Sequence, residues 1–294
     1  MPRLPIYTVD AFSAQPFLGN PAAVVPLMQE LEADTMQLVA SEMNLSETSF
    51  VQPLEIHGDN PWISCSQYSL RWFTPKKEIP LCGHATLATA HIIYNHLGHA
   101  GDRLDFDTLS GTLSVRRDGQ QLVMDFPRNE ATTLAKEEDQ CLAPLVAASC
   151  GGLKAKEVLL CRTLKYLLIR LQDSYSRKEL ETLEPDFSAM KQAHDGALVM
   201  GVIVTVPGNG NSSYDAFSRF FAPLYGVNED PVTVSAGSAH TVLGPYWAEH
   251  LGKDDLTMLQ CGRRGGAVHV KVRGDSRVDL GGPAVTVLEG HLSI

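Results

Sequence analysis

Two stretches of this 294-residue chain, EIPLCGHATLATA from Glu78 and EDPVTVSAGSAHTVL from Glu229, use one device. An acidic residue leads into a proline turn, small residues form a corner, and an apolar helix follows. A helix start exposes unpaired backbone N–H groups and the positive end of the macrodipole, so each corner suits an anion or a carboxylate. The first corner is Gly83, and the second contains Ser235, Gly237 and Ser238. One such corner reads as an ordinary helix start, whereas two facing each other would hold an acidic small molecule from both sides. His84 falls in the first turn of the Gly83 helix, where the dipole disfavours the charged ring and leaves a neutral imidazole able to donate a hydrogen bond. Glu47 precedes a β-rich Thr-Ser-Phe-Val run that would project its carboxylate from the start of a strand. Asp230 stands in the turn before the second helix and could cap it. Cys82, beside Gly83, reads as a small buried residue.

The elements that must position these groups repeat in the same order. Strands are expected over residues 6–12, 22–27, 46–52 and 70–74, with a helix to about Met43 capped by Asp34 or Thr35. The Gly83 helix stops near Gly98, and a hairpin turns at Arg117-Asp118-Gly119. Residues 128–153 carry little strand pattern and read as the crossing between halves, which places the halves at 1–127 and 128–294. Apolar strands around 158–160, 167–171, 199–206 and 217–221 follow, then the second helix to Gly252 and a strand-rich tail with turns at Gly265-Gly266, Gly274-Asp275 and Gly281-Gly282.

Composition narrows the function. Hydrophobic residues make up 44% and charged residues 20% of the chain, and the formal net charge is −10. No basic run offers a footprint for nucleic acid or an anionic membrane surface. The opening MPRLPIYTVDAF has no signal-peptide core, and no apolar stretch approaches a membrane span, so a cytoplasmic protein is expected. The six cysteines have no spacing that suits zinc, so neither disulfides nor a metal are expected.

DAFSAQPFLGNPAAVV (10–25), MNLSETSFV (43–51), RWFTPKKEIPLCGHATLATA (71–90) and FSRFFAPLYGVNEDPVT (217–233), with SRVDLGG and VLEGHLSI in the tail, together resemble the PhzF (phenazine biosynthesis-like) family, its animal branch above all. The resemblance implies an α+β, diaminopimelate-epimerase-like fold of two pseudo-symmetric halves, each a curled, mostly antiparallel sheet around a central helix, with a cleft between them. It implies a cofactor-independent isomerase moving a proton on a small anionic substrate, and a homodimer. Such chemistry needs a base, stabilisation of carbanion-like charge and exclusion of water. The resemblance makes Glu47 the acid/base, places His84 in the cleft lining and gives Asp230 a substrate hydrogen bond. Where the family has Thr-Gly-Ser-Ala, this chain has Thr233-Val234-Ser235-Ala236-Gly237-Ser238-Ala239. Either Ser235 keeps the spacing from Asp230, or Gly237 and Ser238 form the corner, which the cost of a valine at positive φ favours. Related epimerases use two cysteines, but here Thr233 stands opposite Cys82, and its hydroxyl is too weak an acid to act as a thiolate does. A protein-interaction module with a WD-repeat partner is the alternative. A hydrolase built on Asp230, Ser235 or Ser238, and His240 lacks a Gly-x-Ser-x-Gly elbow.

Overall fold

The computed structural model describes residues 3–55, 60–210, 212–232 and 239–294. The chain forms two compact units: one runs to Asp125 and takes in Leu280–Ile294, and the other comprises 126–232 and 239–279. The first contains β1 (Arg3–Ala11), β2 (Asn20–Pro26), α1 (Ala33–Met43), β3 (Glu47–Pro53), α2 (Pro61–Ser64), β4 (Gln67–Phe73), β5 (Glu78–Ile79), α3 (Gly83–Asn95), β6 (Arg103–Thr108), β7 (Gly111–Asp118) and β8 (Gln121–Pro127). The second contains β9 (Thr132–Thr133), α4 (Lys136–Cys150), β10 (Ala155–Cys161), β11 (Tyr166–Leu171), α5 (Arg177–Thr182), α6 (Phe187–Ala193), β12 (Gly201–Pro207), β13 (Ala216–Ala222), β14 (Val227–Asp230), α7 (Ala239–Leu251), β15 (Asp255–Gln260), β16 (Gly266–Val272) and the start of β17 (Arg277–Gly282), whose end belongs to the first unit. The last strand, β18 (Ala284–Ser293), pairs antiparallel with β1 and returns the chain to the first unit, so the tail differs from the expected halves.

One pairing scheme is used twice. In the first unit β1 and β2 are antiparallel, β2 and β3 parallel, β3 and β4 antiparallel, β4 and β6 parallel, and β6 and β7 antiparallel, with β5 antiparallel beside β4. In the second unit β10, β11, β12, β13, β15 and β16 repeat those senses in order, with β14 in the place of β5. An Arg–Glu clamp ties each β4–β5 type pair. Arg71 donates to both Glu78 oxygens at 2.7 and 2.9 Å, and Arg219 donates to both Glu229 oxygens at 2.7 Å. Mostly antiparallel sheets with one central helix per unit match the expected α+β class.

Helix α3 is apolar all round, and such a helix belongs in a core. It packs against β1, β2, β3 and β18, and eleven of its thirteen residues are buried. Its threonine hydroxyls are satisfied locally: Thr86 Oγ1 donates to Cys82 O at 2.6 Å, and Thr89 Oγ1 donates to Ser49 Oγ at 2.9 Å, which donates on to Ala23 O. In α7, Gly244 lets the helix approach β16, since a Cβ there would lie 2.5 Å from Val270 Cγ1.

Several local expectations need correction. Helix α1 starts at Ala33 with Glu32 as N-cap and no side-chain cap bond, so neither Asp34 nor Thr35 caps it. Residues 128–153 are not a bare crossing but hold the 15-residue α4. Its apolar face is narrow, with Leu142, Leu145, Ser149 and Cys150 alone buried, which hides a helical period in the sequence. Gly281-Gly282 ends β17 rather than forming a turn. Among the described residues no helix is long and apolar enough to cross a membrane.

Candidate active site

Parallel pairing puts the starts of β2 and β3 at one end of the first unit's sheet, where Ala22 lies opposite Glu47. The α3 helix begins at the same place, so Asn20, Ser46, Glu47, Cys82 and His84 converge. His84 Nε2 lies 3.1 Å from Glu47 Oε2 and 3.3 Å from Ser46 Oγ, and its Nδ1 lies 3.3 Å from the Asn20 amide and 3.4 Å from Cys82 Sγ. His84 is 2% exposed and Glu47 12% exposed, so the carboxylate keeps a narrow face toward solvent. Ser46 Oγ donates to Pro21 O at 3.1 Å, which leaves its lone pairs to receive the Nε2 proton. That proton is aligned on Ser46, and Glu47 Oε2 is a buried acceptor with no aligned hydrogen bond among the described residues.

The charge state corrects the expectation for His84. Burial pulls its imidazole down, but the Cys82 sulfur and the Glu47 carboxylate beside it outweigh burial and hold it well above the ordinary histidine value. Burial likewise pushes the Glu47 carboxyl up, and the His84 charge, with the polar groups of Ser46 and Cys82 beside it, outweighs this and holds it below the usual carboxylate range. Burial and the Glu47 charge push the Cys82 thiol up. The resting site is therefore a carboxylate–imidazolium pair; the two full charges prevail over the dipole of the α3 start, which alone would leave the ring neutral. With both ring nitrogens protonated, Asn20 must turn its Oδ1 toward Nδ1.

Glu47, Cys82 and His84 also have ligand atoms within 4.8 Å of one another, a spacing that can hold a metal ion. The positive end of α3 and the imidazolium both oppose a cation there.

Of the residues singled out in the sequence, Glu47, Gly83 and His84 come together. Asp230 ends β14 in the second unit, opposite Phe220, with its backbone carbonyl accepting from Gln260 Nε2 at 2.5 Å. Ser235, Gly237 and Ser238, with the interposed Val234 to Ala236, lie outside the described residues. His240 is fully buried in the first turn of α7. Asn20 and Ser46 escaped the sequence reading: both lie within the family-like runs, but an amide after glycine and a serine before a glutamate carry no signal of their own. The strand register adds one fact about the second unit. Val202 pairs with Phe221 as Thr48 pairs with Phe73, so Gly201 occupies the place of Glu47, next to the Tyr166 and Phe220 rings.

A family model described as phenazine biosynthesis-like protein, PhzC-PhzF, matches residues 9–290. The chain belongs to that family. It is 44% identical over 294 residues to phenazine biosynthesis-like domain-containing protein 2 of Mus musculus, covering 99% of each chain. It is 44% identical over 292 residues to an uncharacterized isomerase of Pseudomonas aeruginosa, covering 99% of this chain and 100% of the other. A PhzF-family crystal structure from Enterococcus faecalis superposes with a TM-score of 0.82 at 39% identity, covering 100% of both chains. A predicted epimerase of Pseudomonas aeruginosa, at 22% identity and a TM-score of 0.65 over 99% of both chains, shares the fold.

Proposed function

We propose that this PhzF-family chain is an isomerase that moves a proton between carbons of a small carboxylate-bearing molecule, without a cofactor, with Glu47 as its single acid/base. The observation that carries this reading is the Glu47 carboxylate itself: ionised, nearly buried, and with Oε2 lacking an aligned hydrogen bond. Glu47 takes the proton as the C–H bond breaks, and the electron pair delocalises into the substrate's own unsaturated or carboxylate system. The negative charge thus passes from Glu47 to the substrate, and His84 keeps an anionic partner throughout. Returning the proton to a second carbon restores the carboxylate, so no oxidant or co-reactant is needed. The Gly83 N–H at the start of α3 is assigned to the substrate carboxylate. Asp230, Ser235, Gly237 and Ser238 are assigned to substrate binding on the family resemblance. The glycine at position 201 supports one base rather than two, and the name of the Pseudomonas relative supports the reaction class.

The test incubates the wild-type protein in D2O with a panel of small unsaturated, amino and cyclic acids, followed by proton NMR and mass spectrometry. At least one acid should gain carbon-bound deuterium or change its double-bond position. A folded protein that labels none would overturn the isomerase reading in favour of an interaction module.

A further inference from the structure

We propose that a cavity at the far end of α3, anchored by Arg117, binds a small oxyanion, a carboxylate or phosphate group, at a site separate from Glu47. The cavity, about 230 Å3, is lined by His91, Tyr94 and Asn95 of the last α3 turns and by Arg117, Gln120 and Gln121 of the β7–β8 hairpin. Tyr94 lies eleven residues beyond Gly83, roughly 16 Å along the helix at 1.5 Å per residue.

Three observations converge there. First, Arg117 differs from its neighbours: Arg103 and Arg116 have carboxylate partners in Asp105 and Asp118, whereas Arg117, among the described residues, has only the Tyr94 ring, 4.2 Å from its Cζ. A guanidinium stays charged at any working pH and presents a planar fork of donors suited to carboxylate and phosphate oxygens. Second, no acidic residue lines this cavity, in a chain of formal net charge −10. Third, the Tyr94 ring beneath the guanidinium is itself only 5% exposed, so Arg117 rests on a fixed platform at the cavity.

The remaining groups suit an anion as well. Asn95 Nδ2 donates to His91 Nδ1 at 3.0 Å, so the Nε2 proton points to Thr286 Oγ1, also 3.0 Å away, and His91 is a neutral wall. The second Asn95 N–H and the Gln120 and Gln121 amides are donors on the rim. The negative end of α3 is occupied: Ile92 O accepts from the His96 and Leu97 N–H groups and Ile93 O from the His99 N–H, so the last carbonyls oppose an incoming anion only weakly. The cavity size fits a small acid or inorganic phosphate rather than a nucleotide.

Calorimetric titration in chloride buffer, with inorganic phosphate and separately with malonate, tests the site on wild type, Arg117→Gln and Glu47→Gln. At least one anion should bind wild type saturably, lose at least about tenfold in affinity in Arg117→Gln, and bind Glu47→Gln as it binds wild type; which anion binds identifies the source. Gln121→Glu, which places a carboxylate on the rim, should give the same loss, and circular dichroism melts verify that each variant folds. No saturable binding of either anion to wild type, equal binding by the Arg117 and Gln121 variants, or loss of binding in Glu47→Gln would overturn the proposal.

Discussion

His84 and Glu47 set each other's charge, and the consequence is measurable by NMR titration. In Glu47→Gln one of the two groups that hold the imidazole up is gone, so His84 should titrate lower than it does in the wild type. A histidine whose folded value is raised contributes stability in full below its unfolded value and loses it as pH rises through the folded one. A glutamate whose folded value is lowered contributes above its unfolded value and loses it as pH falls through the folded one. The pair is therefore intact between a Glu47 limb below 4.5 and a His84 limb above 6.5, and any activity that uses it should fall on both sides. The motifs singled out Glu47 and His84, whose side chains the structure brings within 3.1 Å, but the charge on His84 was not legible. Sequence reveals the helix start that would neutralise the ring, whereas the carboxylate that reverses this arrives from a strand 37 positions earlier, by the parallel pairing of β2 with β3.

Among the elements, the Arg–Glu clamp appears twice at unequal depth. Arg71 and Glu78 are 31% and 25% exposed, so solvent screens them, and Glu78→Ala should cost about 1 kcal/mol or less. Arg219 and Glu229 are 9% and 21% exposed, and Arg219 also donates to the Leu180 and Leu183 carbonyls. Glu229→Ala leaves a buried guanidinium without its counter-charge and should cost about 3 kcal/mol, read from urea unfolding of both variants. The elements most legible in the sequence were those with a strong apolar signal, α3, α7 and the long strands. Helices α4, α5 and α6 were missed because each buries only a few side chains, Leu180 alone in α5 and Met190 alone in α6. Periodicity needs a broad apolar face to show, and a helix that only covers a sheet's outer surface has little of one.

Across the whole molecule, one folding pattern used twice has kept its strand senses and clamps while the chemistry diverged. Position 201 shows the divergence: a Cβ there would lie 2.5 Å from Phe220 Cζ and 3.2 Å from Tyr166 Cδ1, so Gly201→Ala should destabilise the protein by about 1–3 kcal/mol and leave the Glu47 site unaltered. Thermal melts beside His84 titration would show both effects. The repeat itself was legible because each half announces its helix with the same proline turn, but the path of β18 back to β1 was not, since a terminal strand carries no mark of its partner. The claim on which the function rests is that Glu47 carries the proton. Its most direct test compares deuterium incorporation from D2O by wild type and by folded Glu47→Gln, on whichever acid the wild type labels. Loss of roughly 10²- to 10⁴-fold in the labelling rate is predicted for removal of a positioned acid/base, and labelling by Glu47→Gln at the wild-type rate would contradict it.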